Sequence, residues 1–291
     1  MNILYCGDAG IAQGVLVSIL SFLMNGRKRY DAKKNVMVED EELVAPVYHI
    51  YIMTIEYEDV VPFRKKTAEF LDKLVKGYNP KNFVKLIDAT EVFVENLPKK
   101  NMGSYFTPCS MLRLYADKVP ELSKLDRLLY LDYDVVCRGS VREFYEVEFD
   151  GAEVAGVLDI YGRWFYHYHG LLKQDYMNSG VMMFNMPECI RAGVFERSAL
   201  KCAERWMMLA DQAALNKVIS RRKLMPRRFN EQGERPKADT ILHHFSNNFK
   251  FWPIFHVQKV KPFEVDKIHK VLKITEYDDI LEKYNQLKEK L

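Results

Sequence analysis

Apolar positions along this chain switch repeatedly between the period of a strand and the period of a helix. Ile3 to Cys6 is a short apolar run closed by Gly7-Asp8. Residues 11 to 24 follow with Ile11, Val15, Ile19, Phe22 and Leu23 at helical spacing. Val47 to Ile55, rich in β-branched and aromatic residues, predicts a strand. Thr67 to Lys76 predicts a helix stopped by Gly77. Phe83 to Ile87 is a second apolar run, Ser110 to Ala116 is helical in pattern, and Arg127 to Leu131 predicts another strand. Further strands are expected at Val154–Leu158, Val181–Asn185, Leu224–Arg228 and Thr240–Phe245, and a helix over Asp211–Ile219. This alternation predicts an α/β fold, a mainly parallel sheet flanked by helices. The domain expected from it covers residues 1–255, with a helical tail over 256–291. In the tail, Ile280, Leu281, Tyr284, Leu287 and Leu291 form one narrow apolar stripe among charged residues, which predicts packing onto the core.

Composition narrows the picture modestly. The 291 residues are 48% hydrophobic and 29% charged, ordinary for a globular chain. A formal net charge of +3 is too small to argue for nucleic acid as a partner. Five cysteines, odd in number and widely spaced, predict reduced thiols and neither a disulfide framework nor structural zinc. The segment Met1-Asn2-Ile3-Leu4-Tyr5 has no basic region before its apolar run, and no stretch approaches the ~18 apolar residues of a membrane span. A cytoplasmic protein is expected, with peripheral contact at the inner face of a membrane left open.

The chemistry concentrates where apolar runs end. Leu128-Leu129-Tyr130-Leu131 leads into Asp132-Tyr133-Asp134. In extended backbone the two carboxylates point to one side, where like charges repel unless a cation lies near them. In open α/β sheets ligands gather at the carboxyl ends of strands, and hard oxygen ligands suit Mg²⁺ or Mn²⁺. A second apolar run, Leu242, ends in His243-His244, either of which could complete such a site, and Lys250 follows six residues after His244. In Met177-Asn178-Ser179-Gly180-Val181, small polar residues enter a buried strand, and Gly180 allows close approach to the backbone. Asp211-Gln212 stands at an expected helix start, where Asp is a good N-cap.

Together these residues resemble glycosyltransferase family 8, over roughly residues 1 to 253. The resemblance is carried by Asp8 after the first strand, Arg113 in Met111-Leu112-Arg113-Leu114, Tyr130-Leu131-Asp132-Tyr133-Asp134, Asn178-Ser179-Gly180-Val181, Asp211-Gln212, and His244 through Lys250 and Trp252. It implies a GT-A fold, a UDP-sugar donor, a divalent cation (Mn²⁺ or Mg²⁺), a saccharide or glycolipid acceptor, and retention of anomeric configuration. Carried over by position, Asp132, Asp134 and His244 are the implied metal ligands. Cys6 (through its backbone) and Asp8 are the implied uracil contacts. Arg113, Asp159, Asn178 and Asp211 are the implied donor-sugar contacts, Lys250 the diphosphate contact and Tyr133 a further donor contact. Gln212 stands beside the anomeric carbon as the implied catalytic residue, and Asp211 is the carboxylate that a covalent route would use. One departure is Ile11, which cannot stack on uracil as an aromatic residue would. The aromatic loop Tyr161 to Gly170 is the acceptor candidate, and the basic runs Arg221-Arg222-Lys223 and Arg227-Arg228 suit an anionic acceptor or a solvated face.

Two other classes compete. A sugar-phosphate nucleotidyltransferase needs a basic Gly-rich loop after its first strand, whereas Cys6-Gly7-Asp8-Ala9-Gly10 places a carboxylate there. Gly7, Gly10 and Gly14 do not make a dinucleotide fingerprint. A non-catalytic nucleotide-sugar or glycan-binding scaffold has less use for a metal than an enzyme does.

Overall fold

The computed structural model describes residues 1–102, 108–162, 171–250, 254 and 256–291. In chain order its strands are β1 (Asn2–Cys6), β2 (Lys28–Asp31), β3 (Val36–Glu39), β4 (His49–Thr54), β5 (Phe83–Asp88), β6 (Arg127–Leu131), β7 (Val135–Cys137), β8 (Val154–Leu158), β9 (Met177–Asn185), β10 (Arg222–Leu224), β11 (Leu242–His244), β12 (Asn248–Lys250) and β13 (His256–Gln258). Seven of them form the central sheet, in the order β10-β8-β9-β6-β1-β4-β5. Within it β9 runs against its neighbours β6 and β8, and the other pairings are parallel.

The sheet is buried on both faces, which is why its strands are continuous apolar runs. Successive side chains alternate between two clusters. Ile3, Tyr5, Ile50, Ile52, Leu129, Leu131, Val181 and Met183 enter one, with helices Ala12–Asn25 and Lys65–Tyr78 packed over them. Leu4, Cys6, Tyr51, Met53, Leu128, Tyr130, Met182 and Phe184 enter the other, under the 3₁₀ segment Pro108–Lys118 and helices Val194–Glu204 and Ala210–Val218. The C-terminal segment docks on the first cluster. Ile268, Leu272, Tyr277, Ile280, Leu281 and Tyr284 are buried in it, Leu287 and Leu291 pack against it, and the Tyr284 hydroxyl donates to Gln13 Oε1 at 2.8 Å. All five cysteines are buried and none is in a disulfide, and no helix among the described residues is long and apolar enough to cross a membrane.

Several expectations need correction. The strand expected at Leu224–Arg228 lies earlier, at Arg222–Leu224, because Pro226 has no N–H for a ladder and a 3₁₀ turn begins at Arg227. The helix expected at Ser110–Ala116 is a longer 3₁₀ segment. The helix beginning near Asp211 starts at Ala210 after Leu209, so Asp211 lies inside its first turn and does not cap it. The β2–β3 hairpin and the short strand β7 were not anticipated.

Candidate functional site

The sheet topology brings the polar residues to one edge. Cys6, Asp132 and Asp159 lie at or just beyond the carboxyl ends of β1, β6 and β8. The reversed strand β9 starts at that same edge, which is how Asn178 and Ser179 join them. Arg113 descends from the Pro108–Lys118 segment, and Asp211 and Gln212 come from the first turn of helix Ala210–Val218.

Asp132 and Asp134 converge by a route other than strand alternation. β6 ends at Leu131, and Asp132-Tyr133-Asp134 makes a tight turn into β7, closed by Val135 N donating to Asp132 O at 3.2 Å. The turn sends the Tyr133 ring to the opposite side, against Gly14 of the first helix, where an added Cβ would lie 2.4 Å from it. β7 then pairs antiparallel with β11 in a register that sets His244 opposite Val135 and therefore beside Asp134. Alternation along β11 decides between the two histidines. His243 points away into the core, bonded to the Tyr277 hydroxyl and to Gly233 O, each at 2.8 Å, and burial holds its pKa down at about 3. It is a neutral packing residue, and His244 is the member of the site.

Asp132, Asp134 and His244 bring one ligand atom each to within 4.8 Å of one another. Asp132 Oδ1 is held by the Tyr130 hydroxyl at 2.7 Å and by Arg113 at 3.1 Å, which leaves Oδ2 turned toward His244 Nε2 at 3.6 Å. Asp134 Oδ2 is held by Lys261, while its Oδ1 is buried, has no hydrogen-bond partner, and lies 3.4 Å from the same Nε2. Burial works against the Asp134 charge, yet Lys261 and His244 hold its carboxyl far below the usual carboxylate range. His244 Nδ1 lies 3.2 Å from Asn230 Oδ1, an acceptor, so Nδ1 carries a hydrogen. Burial opposes charge on the ring, but Asp134 and Asp132 raise its pKa. A metal ion would take the place of the proton they favour on Nε2, whose lone pair then faces the ion. Two bare carboxylate oxygens and an imidazole lone pair facing one point are the donor set of a divalent transition-metal site. Gly180 gives that point its room, since a Cβ there would meet His244 Cε1 at 2.2 Å and Asp132 Oδ2 at 2.8 Å.

A buried amide network leads away from it. Asn230 Nδ2 donates to Asn178 Oδ1 at 3.0 Å, Asn178 Nδ2 donates to Asp159 Oδ2 at 3.0 Å, and Gln212 Nε2 approaches that oxygen at 3.4 Å. Gln212 Oε1 accepts from Ser179 N at 2.9 Å. Arg113, only 3% exposed, lies 3.6 Å above the Tyr130 ring, donates to Ser179 O at 2.6 Å and bridges Asp132 to Asp211, whose Oδ2 is 3.2 Å away. Burial pushes the Asp211 carboxyl up, and Arg113 restrains the rise.

The structure thus unites Asp132, Asp134, His244, Arg113, Asp159, Asn178, Asp211 and Gln212. Others stand apart. The Asp8 carboxylate caps the turn after β1 by accepting from Gly10 N at 2.8 Å. Cys6, by contrast, lies beside Arg113, Asp132 and Asp211, and burial raises its thiol pKa. Lys250 ion-pairs with Glu234. Tyr161, its ring 4.7 Å from that of Phe249, ties the start of the acceptor-candidate loop to β12; residues 163 to 170 of that loop, and Trp252, lie outside the described residues. In the basic runs Arg221, Lys223, Arg227 and Arg228 ion-pair with Glu188, Asp150, Glu231 and Glu143, and Arg222 donates to backbone carbonyls. Sequence reasoning missed Asn230 and Lys261. Neither sits in a motif, and only the fold places them at the site.

This sheet has the GT-A architecture. The fold matches the crystal structure of the galactosyltransferase LgtC in complex with donor and acceptor sugar analogs (TM-score 0.65, 16% identity, covering 100% of both chains). Residues 2–254 match the family described as Glycosyl transferase family 8, and the chain belongs to that family. Among curated relatives it is 29% identical over 57% of its length to a lipopolysaccharide 1,2-glucosyltransferase of Escherichia coli. It is also 26% identical over 79% of its length to a lipopolysaccharide 1,3-galactosyltransferase of Salmonella typhimurium. The matches span 50% and 63% of those relatives' own lengths.

Proposed function

We propose that this chain is a retaining hexosyltransferase that moves galactose or glucose from a UDP-sugar to a saccharide or glycolipid acceptor with the help of Mn²⁺ or Mg²⁺. The observation that carries the reading is the convergence of Asp132 Oδ2, Asp134 Oδ1 and His244 Nε2 beside the Asp159–Asn178–Gln212 pocket. A histidine in the set favours Mn²⁺. When bound, such an ion supplies Lewis-acid stabilisation to the departing diphosphate. The buried carboxamides of Asn178 and Gln212 and the Asp159 carboxylate suit the hydroxyls of a sugar ring. Relatives named as glucosyl- and galactosyltransferases of lipopolysaccharide support a hexose and an acceptor of that kind.

Retention requires attack on the face the leaving group departs from, or a covalent intermediate on a carboxylate. The Asp211 carboxylate is committed to Arg113, and Gln212 carries a weakly nucleophilic amide. Both facts favour same-face attack, with Gln212 beside the anomeric carbon, as the family resemblance implies. Asp8 and the Cys6 backbone are assigned to the uracil, Tyr133 to the donor beside the metal, and Lys250 to the diphosphate, which requires its release from Glu234. Residues 1–255 form the catalytic domain on this reading, and 256–291 open with strand β13, paired to β12, before turning helical. The work is placed in the cytoplasm, at the inner face of the membrane where the acceptor is a glycolipid.

The test is release of UDP from UDP-galactose and UDP-glucose with Mn²⁺, with and without EDTA. Slow hydrolysis that Mn²⁺ supports and EDTA stops is the expected result. Tight binding with no release, across donors and candidate acceptors, would assign the chain to the scaffold class instead.

A further inference from the structure

The metal-site carboxylates are held in matching ways. Each gives one oxygen to a fixed cation, Asp132 to Arg113 and Asp134 to Lys261, and turns the other oxygen toward His244 Nε2. Arg113 lies within the residues matched to the family. Lys261 does not: it lies beyond residue 254, where the family match ends. Several contacts nevertheless hold it in position. The Val260 side chain before it is buried, its backbone N–H donates to Glu264 Oε2 at 2.8 Å, and its ammonium lies 3.4 Å from Phe245 O and 5.5 Å from the centre of the Tyr133 ring. The lysine side chain is 23% exposed and the Asp134 side chain 6%.

Charge around the site has a consequence for what binds there. Arg113 and Lys261 already pair the carboxylates of Asp132, Asp134 and Asp211. A divalent ion held by Asp134 adds positive charge directly beside the Lys261 ammonium. A nucleotide-sugar diphosphate is a dianion, and adding it with the ion restores the original balance. From the geometry we infer that Lys261 weakens the site's hold on the ion alone and so deepens the dependence of metal binding on the nucleoside diphosphate that shares the ion. The inference rests on the Asp132–Asp134–His244 metal reading. Its physical basis is that a partnered buried carboxylate attracts a second cation less than a bare one does. Coupling of this kind is reciprocal, so the ion tightens the diphosphate by the same factor.

Lys261→Met tests it, because Met keeps an unbranched stem and removes the charge. Mn²⁺ is titrated into the full chain with and without UDP, free Mn²⁺ being read by electron paramagnetic resonance. In the unsubstituted protein UDP should tighten Mn²⁺ by tens-fold, within the usual range of coupling between sites. In Lys261→Met, Mn²⁺ alone should bind roughly tenfold tighter, the size of one unit charge removed near a divalent ion in a partly solvated site. The enhancement by UDP should shrink accordingly, and Mn²⁺ alone should raise the variant's Tm more than it raises the parent's. Lys261→Arg should behave like the parent. If Met at this position prevents folding, Lys261→Gln keeps a donor to Asp134 without the charge and carries the same expectation. Unchanged or weaker Mn²⁺ binding in the neutral variants, with the UDP enhancement intact, overturns the inference and leaves the metal site standing. Failure of the parent to bind Mn²⁺ with or without UDP overturns the metal reading and the inference with it.

Discussion

Asp132→Asn should abolish Mn²⁺-dependent release of UDP from a UDP-sugar while leaving the fold in place. The substitution keeps the shape of the side chain. Asn Oδ1 can still accept from the Tyr130 hydroxyl and from Arg113, and Arg113 retains its bond to Ser179 O and its pair with Asp211. The change removes the negative charge from Oδ2, the oxygen that faces His244 Nε2. Metal stabilisation of developing charge is worth several kcal/mol, and each ~1.4 kcal/mol is tenfold in rate. A fall in kcat/KM of about a thousandfold is therefore expected, with a Tm within a few degrees of the parent. Circular dichroism and a UDP-release assay on the same preparation check both halves. Activity near the parent's would refute the site assignment.

Arg113→Met should be the most destabilising single change at the site. The guanidinium is buried, stacked on Tyr130, bonded to the carbonyls of Ser110 and Ser179, and paired with two carboxylates. Its loss leaves Asp211 as an uncompensated charge in the interior. Breaking such a pair costs about 3–5 kcal/mol, which for a chain of this size is a fall in Tm of roughly 10 °C. The sign of the pH dependence follows. Burial already raises the Asp211 pKa above the unfolded value, and without Arg113 it rises further. The folded variant then binds a proton that the unfolded chain does not, so the deficit shrinks as the pH falls. Asp211→Asn in the same background should recover much of the lost stability. Thermal denaturation of the single and double variants at several pH values measures this. A Tm unaffected by Arg113→Met would show that Arg113 does not carry the burial of these carboxylates.

Much of this architecture was readable from hydrophobic pattern alone, for a physical reason. Strands β1, β4, β6 and β8 are buried on both faces, so Ile3–Cys6 and Leu128–Leu131 stand out as unbroken apolar runs. The Asp132-Tyr133-Asp134 triplet was legible because a charge at the end of such a run is costly without a partner. The reason its carboxylates meet was not legible, since a turn into a three-residue strand leaves no periodicity to read. Neither was the choice of His244 over His243, which rests on the register of β11 against β7. Asn230 and Lys261 are ordinary polar residues in sequence. They gain their roles because the Arg227–Phe229 turn and the docking of the C-terminal segment bring them to His244 and Asp134. The apolar stripe of the tail predicted that docking but not that Lys261, well before the stripe in the chain, would reach the site.

Anomalous diffraction at the manganese edge, from crystals holding Mn²⁺ and UDP, tests the central claim most directly. The account predicts one manganese peak bonded to Asp132 Oδ2, Asp134 Oδ1 and His244 Nε2 and shared with the diphosphate. UDP bound with no manganese at those three atoms, or manganese bound elsewhere, would contradict it.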